Sequence, residues 1–264
     1  MDRGPSAGRA VSRFRGGANL LLERAATRAL VVLQTGTVAF HPWGVAVEPN
    51  LGERITVGDS ASAISDRIHL GGRLAIDLAE AVIADLRIER FSQLEARRAR
   101  ARLPFLSSPP GETEPVSSEI ATRLDGWGAD ARPERLLGLV GLGPGSTPAG
   151  DDVLVGILAG LAASPVGRAR AQDLHRHLAA VDLPQRTPIG SAQAIRAAID
   201  GAFPEPLVDL ASAARRADAV AAMRAVDCFA RLGTSSGRAM LVGFQAGFGL
   251  TGVRTYGQGR TISA

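Results

Sequence analysis

Short apolar runs separated by Gly, Pro and Asn dominate the chain from about Ala10 to Ile76. Ala29–Leu33, Gly44–Val47, Ile55–Val57, Ile68–Leu70 and Leu74–Ile76 each have strand length and strand composition, and their spacing predicts a meander or a small barrel. Glu80–Arg102 then carries a helical pattern. Beyond Pro115 the period changes. Val153–Ala163 is apolar on every side, which predicts a helix with no solvent face. Arg168–Ala180 is amphipathic, and Ala192–Gly201, Leu207–Arg215 and Asp218–Leu232 follow as short helices. Gly237–Phe248 repeats the texture of the first buried helix. Gly156 and Gly160 on one, and Gly243 and Gly247 on the other, lie four apart. That spacing leaves each helix a flat side, so the two are expected to be neighbours in a helical core.

The expected class is α+β, a β-rich N-terminal domain followed by a mostly helical C-terminal domain. The division runs as residues 1–105, β-rich with a closing helix; 106–134, a linker region; and 135–264, helical. Pro104–Pro115, with Ser107-Ser108-Pro109-Pro110-Gly111, is the best linker candidate.

Composition narrows the chemistry. Of 264 residues 45% are hydrophobic and only 4% aromatic, so small and aliphatic side chains must fill the core. The sequence has no lysine; all 30 basic residues are arginine. Arginine does not titrate in the ordinary range, and this raises the pI to about 10.6 although net charge is only +4. The pI is therefore no argument for nucleic acid. Without lysine there is no Schiff base to pyridoxal phosphate and no Walker lysine. Cys228 is the only cysteine, so no internal disulfide forms, and its apolar surroundings predict a buried, inert thiol. The N-terminus lacks the apolar core of a signal peptide, and no apolar run is long enough to span a bilayer. A cytoplasmic protein without membrane or nucleic-acid partners is expected. His175 and His177 are two apart and point to different sides of a helix, so no metal site is expected.

One stretch stands out: Gly141-Leu142-Gly143-Pro144-Gly145-Ser146-Thr147-Pro148-Ala149-Gly150-Asp151-Asp152, leading into the buried helix. Its glycines and prolines force a tight backbone path open to a ligand. The first N–H groups of a helix have no intrahelical partner, and with the helix dipole they suit phosphate or carboxylate. Gly143, Gly145, Ser146, Thr147 and Gly150 are candidate binding residues, and Thr147, Asp151 and Asp152 candidate catalytic ones. The acidic pair can hold a cation, orient an amide or act as a base. The alternative is that Ser146, Thr147 and the aspartates only cap a helix. Gly233-Thr234-Ser235-Ser236-Gly237 opens the second buried helix, and helix pairing would bring Ser235 and Ser236 to the rim of the same pocket. Asn19 is either a ligand contact or a turn residue.

The glycine-proline stretch resembles the Gly-Leu-Gly-Pro-Gly-Leu-Thr-Pro-Ser-Gly-Asp-Asp signature of a family that includes AllH, a subunit of bacterial oxamate carbamoyltransferase. Val11-Ser12-Arg13-Phe14 with Asn19-Leu20 looks like that family's opening segment. Arg186-Thr187 and the helix after it resemble a later one, which adds Thr187 to the binding candidates. Gly233–Gly243 is similar to a third. Ser146, Ala149, Ser235 and Ala239 depart from the family pattern, where Leu, Ser, Thr and Asp are usual. The resemblance implies a subunit of a carbamoyl-transferring enzyme of purine and allantoin degradation, interconverting oxalurate and phosphate with oxamate and carbamoyl phosphate. It also implies AllF-like and AllG-like partner subunits and a small anionic substrate. No cofactor is indicated. A non-catalytic anion-binding, regulatory or structural subunit is the alternative.

Overall fold

The computed structural model describes residues 5–14, 16–25, 27–36, 39–48, 50–107, 117–130, 132–232 and 235–249. Its first half is one seven-stranded sheet: β1 (Ser6–Phe14), β2 (Gly17–Arg24), β3 (Thr27–Thr35), β4 (Gly44–Val47), β5 (Ser60–Ile64), β6 (Arg67–Leu70) and β7 (Leu74–Asp77), in spatial order β4-β3-β2-β1-β5-β6-β7. Neighbours are antiparallel except β3 and β4, which run parallel. One side of the sheet closes over Ala18, Leu20, Leu22, Leu33, Ile68 and Leu70.

Two expectations about the sheet need correction. β1, β2 and β5 are additional strands: Arg9 and Arg13 interrupt the apolar pattern of β1 on the side facing water, the three leucines of β2 are flanked by Asn19 and Glu23, and β5 (Ser-Ala-Ser-Ala-Ile) has no apolar run. Ile55–Val57 is not a strand. Ile55 is buried in the sheet core after a 3-10 turn at Leu51–Arg54. The chain then reverses through Val57–Gly58, where φ is +97° at Gly58 and Asp59 accepts from the Thr56 N–H at 2.9 Å.

The second half is helical: α1 (Gln93–Arg102), α2 (Ser118–Asp130), α3 (Glu134–Leu137), α4 (Ala149–Ala163), α5 (Arg168–Ala179), α6 (Leu183–Arg186), α7 (Ile189–Ile199), α8 (Glu205–Arg215), α9 (Ala219–Phe229) and α10 (Ser236–Gly249). The chain is thus α+β, as its patterning predicts. Helix α1 is shorter than the expected Glu80–Arg102. A reciprocal capping box between Ser92 and Glu95 fixes its start. Residues 81–92 form no helix, and their one ladder contact is an isolated bridge between Arg87 and Ala202. Val82 and Ile83 are each 94% exposed, so no apolar stripe exists there to drive a helix against the core. This segment clips to the helical half through Phe203 N–H to Leu86 O (2.9 Å) and Phe91 N–H to Ala163 O (2.9 Å). Helix α2 lies inside the stretch expected as a linker, and its Ile120, Leu124 and Trp127 are buried in the helical core. Residues 108–116, the centre of the linker candidate, lie outside the described residues.

At the centre of the bundle α4 and α10 pack backbone to backbone. A Cβ at Gly156 would stand 2.1 Å from the Met240 carbonyl oxygen, and one at Gly160 would stand 2.4 Å from that of Phe244. From the other side, Gly243 faces the Val153 carbonyl at 2.1 Å and Gly247 that of Ile157 at 2.3 Å. The four glycines do what their spacing implies: they bring two helices closer than any side chain permits.

Sheet and bundle meet at β3 and α7. The Gln193 side chain accepts from the Leu30 N–H at 2.8 Å and donates to the Leu30 carbonyl at 2.7 Å. Strand β4 begins its pairing only at Val32, so Gln193 stands in for a partner strand at the exposed end of β3.

Candidate functional site

The turn before α4 takes its path from three glycines with positive φ: Gly141 (+75°), Gly143 (+116°) and Gly145 (+93°). At Gly141 a Cβ would also strike the Arg186 carbonyl oxygen at 2.1 Å, so the turn is pressed against the chain entering α7. Residues 143–147 are exposed, whereas Gly150, Asp151 and Asp152 are buried. Gly150 allows a close approach, since a Cβ there would lie 2.2 Å from the Leu139 carbonyl oxygen.

The capping alternative does not describe this helix start. The N-cap of α4 is Pro148, and no side chain caps it. Nor are all of its first N–H groups available. That of Gly150 donates to the Leu142 carbonyl at 2.8 Å, which ties the turn to the helix. The aspartates act sideways rather than back along the helix. Asp151 Oδ1 accepts from the Gly141 N–H at 2.8 Å, Oδ2 accepts from the Thr187 hydroxyl, and the Ser191 side chain also hydrogen-bonds this carboxylate. Burial pushes the Asp151 carboxyl above its ordinary range, and these three donors pull against it.

Asp152 is in a different position. It is 4% exposed, and its Oδ2 has no hydrogen-bond partner. Burial pushes its carboxyl up to about 7; the adjacent Asp151 charge adds to this and a hydrogen bond with Ser236 opposes it. Ser236 opens α10, and its hydroxyl lies 3.1 Å from that of Thr147. The starts of α4 and α10 therefore meet.

Two sets of contacts thus meet at adjacent residues of α4: Asp151 with Gly141, Thr187 and Ser191, and Asp152 with Ser236 and through it Thr147, while Gly150 just before them bonds Leu142. Gly143, Gly145 and Ser146 are exposed in the turn leading to α4, and Ser235 is exposed beside Ser236. Gly233 and Thr234 lie outside the described residues. Asn19 is not in a turn: it sits within β2, donating to the Ser12 hydroxyl at 2.8 Å. It shares a side of the sheet with Leu30, whose methyl would be 3.5 Å from a Cβ at Gly190 of α7. Ser191 escaped the sequence reading. Its signal was present, because Thr187-Pro188-Ile189-Gly190-Ser191 repeats the spacing of Thr147-Pro148-Ala149-Gly150-Asp151. Both segments start a helix after proline, and the fifth residues of the two face each other. Elsewhere, His177 bonds Asp173 and Glu134 rather than a neighbouring histidine, Cys228 is half-buried, and no group of three or more His, Cys, Asp or Glu among the described residues could hold a metal. No described helix is long and apolar enough to cross a membrane.

Fold and site together define an α+β chain in which a curled sheet abuts a helical bundle, with two buried carboxyls where two glycine-faced helices begin. Residues 139–248 match the family model of AllH, described as oxamate carbamoyltransferase subunit AllH. The matched segment runs from the apolar stretch before the glycine turn to the last turns of α10, and it leaves out Val11–Phe14 and Asn19 of the sheet. No curated protein and no solved structure matches the chain.

Proposed function

We propose that this chain is a subunit of a carbamoyl-transferring enzyme, acting on a small anion at the cleft between the starts of α4 and α10. One observation carries the reading. The family match spans both helices that build the cleft, and within it Asp152 keeps a buried oxygen without a partner. In this reading the dipoles of α4 and α10 favour a phosphate or carboxylate at their shared N-terminal end, and the Thr147, Ser146, Ser235 and Ser236 hydroxyls supply donors. Carbamoyl transfer needs a polarised carbonyl and stabilisation of the oxyanion that forms, which N–H and O–H donors provide. Gly143 and Gly145 keep the lip free of side chains. Oxamate, oxalurate and carbamoyl phosphate each combine an anion with an amide, and both parts find complementary groups here. The enzyme is read as cytoplasmic and as completed by AllF-like and AllG-like subunits.

The test is co-purification of the chain with such subunits, followed by an assay of carbamoyl phosphate formation from oxalurate and phosphate. Activity that needs this chain and is lost in Thr147→Val supports the reading. A complex that is fully active without the chain overturns it.

A further inference from the structure

Two adjacent carboxyls enter the same helix turn, yet their surroundings differ completely. Both Asp151 oxygens are used, one by the Gly141 N–H and one by the Thr187 hydroxyl. These contacts bind the glycine turn, the first turn of α4 and the chain entering α7 into one unit. Asp152 is also buried, at 4% exposure, but its Oδ2 meets no donor. Buried polar atoms in folded proteins are nearly always paired, and an unpaired one calls for a reason, of which a catalytic or binding role is one; of the unpaired buried atoms here, Asp152 Oδ2 is the carboxylate oxygen. This atom lies at the start of a 15-residue helix, beside the 3.1 Å contact that joins Thr147 to Ser236.

We propose that Asp152 hydrogen-bonds the bound molecule through Oδ2, while Asp151 is a positioning residue that latches the glycine turn to α7. The proposal rests on the cleft being the substrate site. Its chemistry follows from the surroundings of each group. Among the described residues, the charged neighbour acting on Asp152 is Asp151 on its own helix, and α10 presents the neutral Ser236 hydroxyl. With a carboxyl raised to about 7, Asp152 exchanges a proton near neutrality, so it accepts from a ligand N–H in one form and donates to a ligand oxygen in the other. Three donors, from Gly141, Thr187 and Ser191, already converge on the Asp151 carboxylate, so its bonding is committed to the fold where that of Asp152 Oδ2 is not.

The experiment is a calorimetric titration of the full chain, purified with its partner subunits, with carbamoyl phosphate and separately with inorganic phosphate between pH 5.5 and 8.5. Melting temperatures are recorded in parallel. Asp152→Asn is expected to keep or raise the melting temperature, weaken carbamoyl phosphate binding at least tenfold, and abolish the pH dependence of affinity near 7. Asp151→Asn is expected to lower the melting temperature and to retain that pH dependence. If Asp152→Asn fails to fold, Ser236→Ala serves instead: losing the hydrogen bond that holds the carboxyl down should move the pH dependence to higher pH. Wild-type affinity in Asp152→Asn, equal loss of pH dependence in both aspartate variants, or an unmoved pH dependence in Ser236→Ala would overturn the division of roles alone. Failure of the wild-type protein to bind either anion would overturn the site reading itself, and the proposal with it.

Discussion

The Thr147 and Ser236 hydroxyl oxygens stand 3.1 Å apart across 89 positions of chain, and they mark the point where the two central helices begin together. Thr147 is exposed and Ser236 half-buried, so their bond contributes little to stability. Thr147→Val and Ser236→Ala should each cost about 1 kcal/mol or less in urea unfolding. Each should nonetheless weaken phosphate binding measurably, because each removes a hydroxyl from the place where the two helices begin. Lost stability with wild-type affinity would make the pair a simple brace between helices.

The glycine faces of α4 and α10 give a prediction independent of function. A side chain at Gly160 would run into the Phe244 carbonyl, and one at Gly247 into that of Ile157. Backbone cannot swing aside as a side chain can, so the helices must separate along their whole contact. Gly160→Leu should destabilise by about 1–3 kcal/mol or more, and Gly247→Ala should also lower the melting temperature. Gly145→Ala is an instructive contrast. A Cβ there has open space, but φ is +93°, so any cost comes from backbone strain alone. Equal melting temperatures for wild type and Gly160→Leu would refute the close packing.

Gln193 satisfies both backbone groups of Leu30 where no strand does so. Gln193→Ala leaves an N–H and a carbonyl unpaired at the sheet–bundle contact, with an expected cost of about 1–3 kcal/mol. Gln193→Glu keeps the acceptor but places an anion against the Leu30 carbonyl, and should not rescue it. Hydrogen exchange supplies the local readout: the Leu30 amide should lose protection before Leu20 or Leu33 does. Unchanged exchange at Leu30 would show that water replaces the side chain at no cost.

The helical half was legible because its signals are dense and local. Val153–Ala163 has no polar side to misread, and the four-residue glycine spacings name the contact surface directly. The sheet was legible only where apolar residues run together. In β1, Arg9, Ser12 and Arg13 break up the apolar residues, and in β2 the run Leu20-Leu21-Leu22 is short and flanked by Asn19 and Glu23. The glycine turn announced a site, yet sequence could not distribute the work of Asp151 and Asp152. That distribution depends on Thr187 and Ser191, some forty residues away, and the helix starts that bring them close are a tertiary fact. The same distance hid the meaning of the repeated Thr-Pro-x-Gly spacing.

The raised carboxyl of Asp152 fixes the sign of a pH effect on stability. In the unfolded chain the group ionises near 3.8, and in the folded chain near 7. Between those values the folded protein holds a proton that the unfolded chain has released. Stability must therefore fall as pH rises from about 4 to about 7, and level off above. At roughly 1.4 kcal/mol per pH unit the effect reaches a few kcal/mol at most. Burial also raises Asp151, which acts in the same direction, while Asp77 and Glu95 are lowered at the surface and act weakly in the opposite one. The difference between wild type and Asp152→Asn isolates the one group. Urea unfolding should find the two proteins similar in stability near pH 4.5, and the Asn variant more stable by up to a few kcal/mol at pH 8. A difference that stays constant across that range would mean that Asp152 ionises alike in both states, and that its buried oxygen is reached by water rather than kept for a ligand.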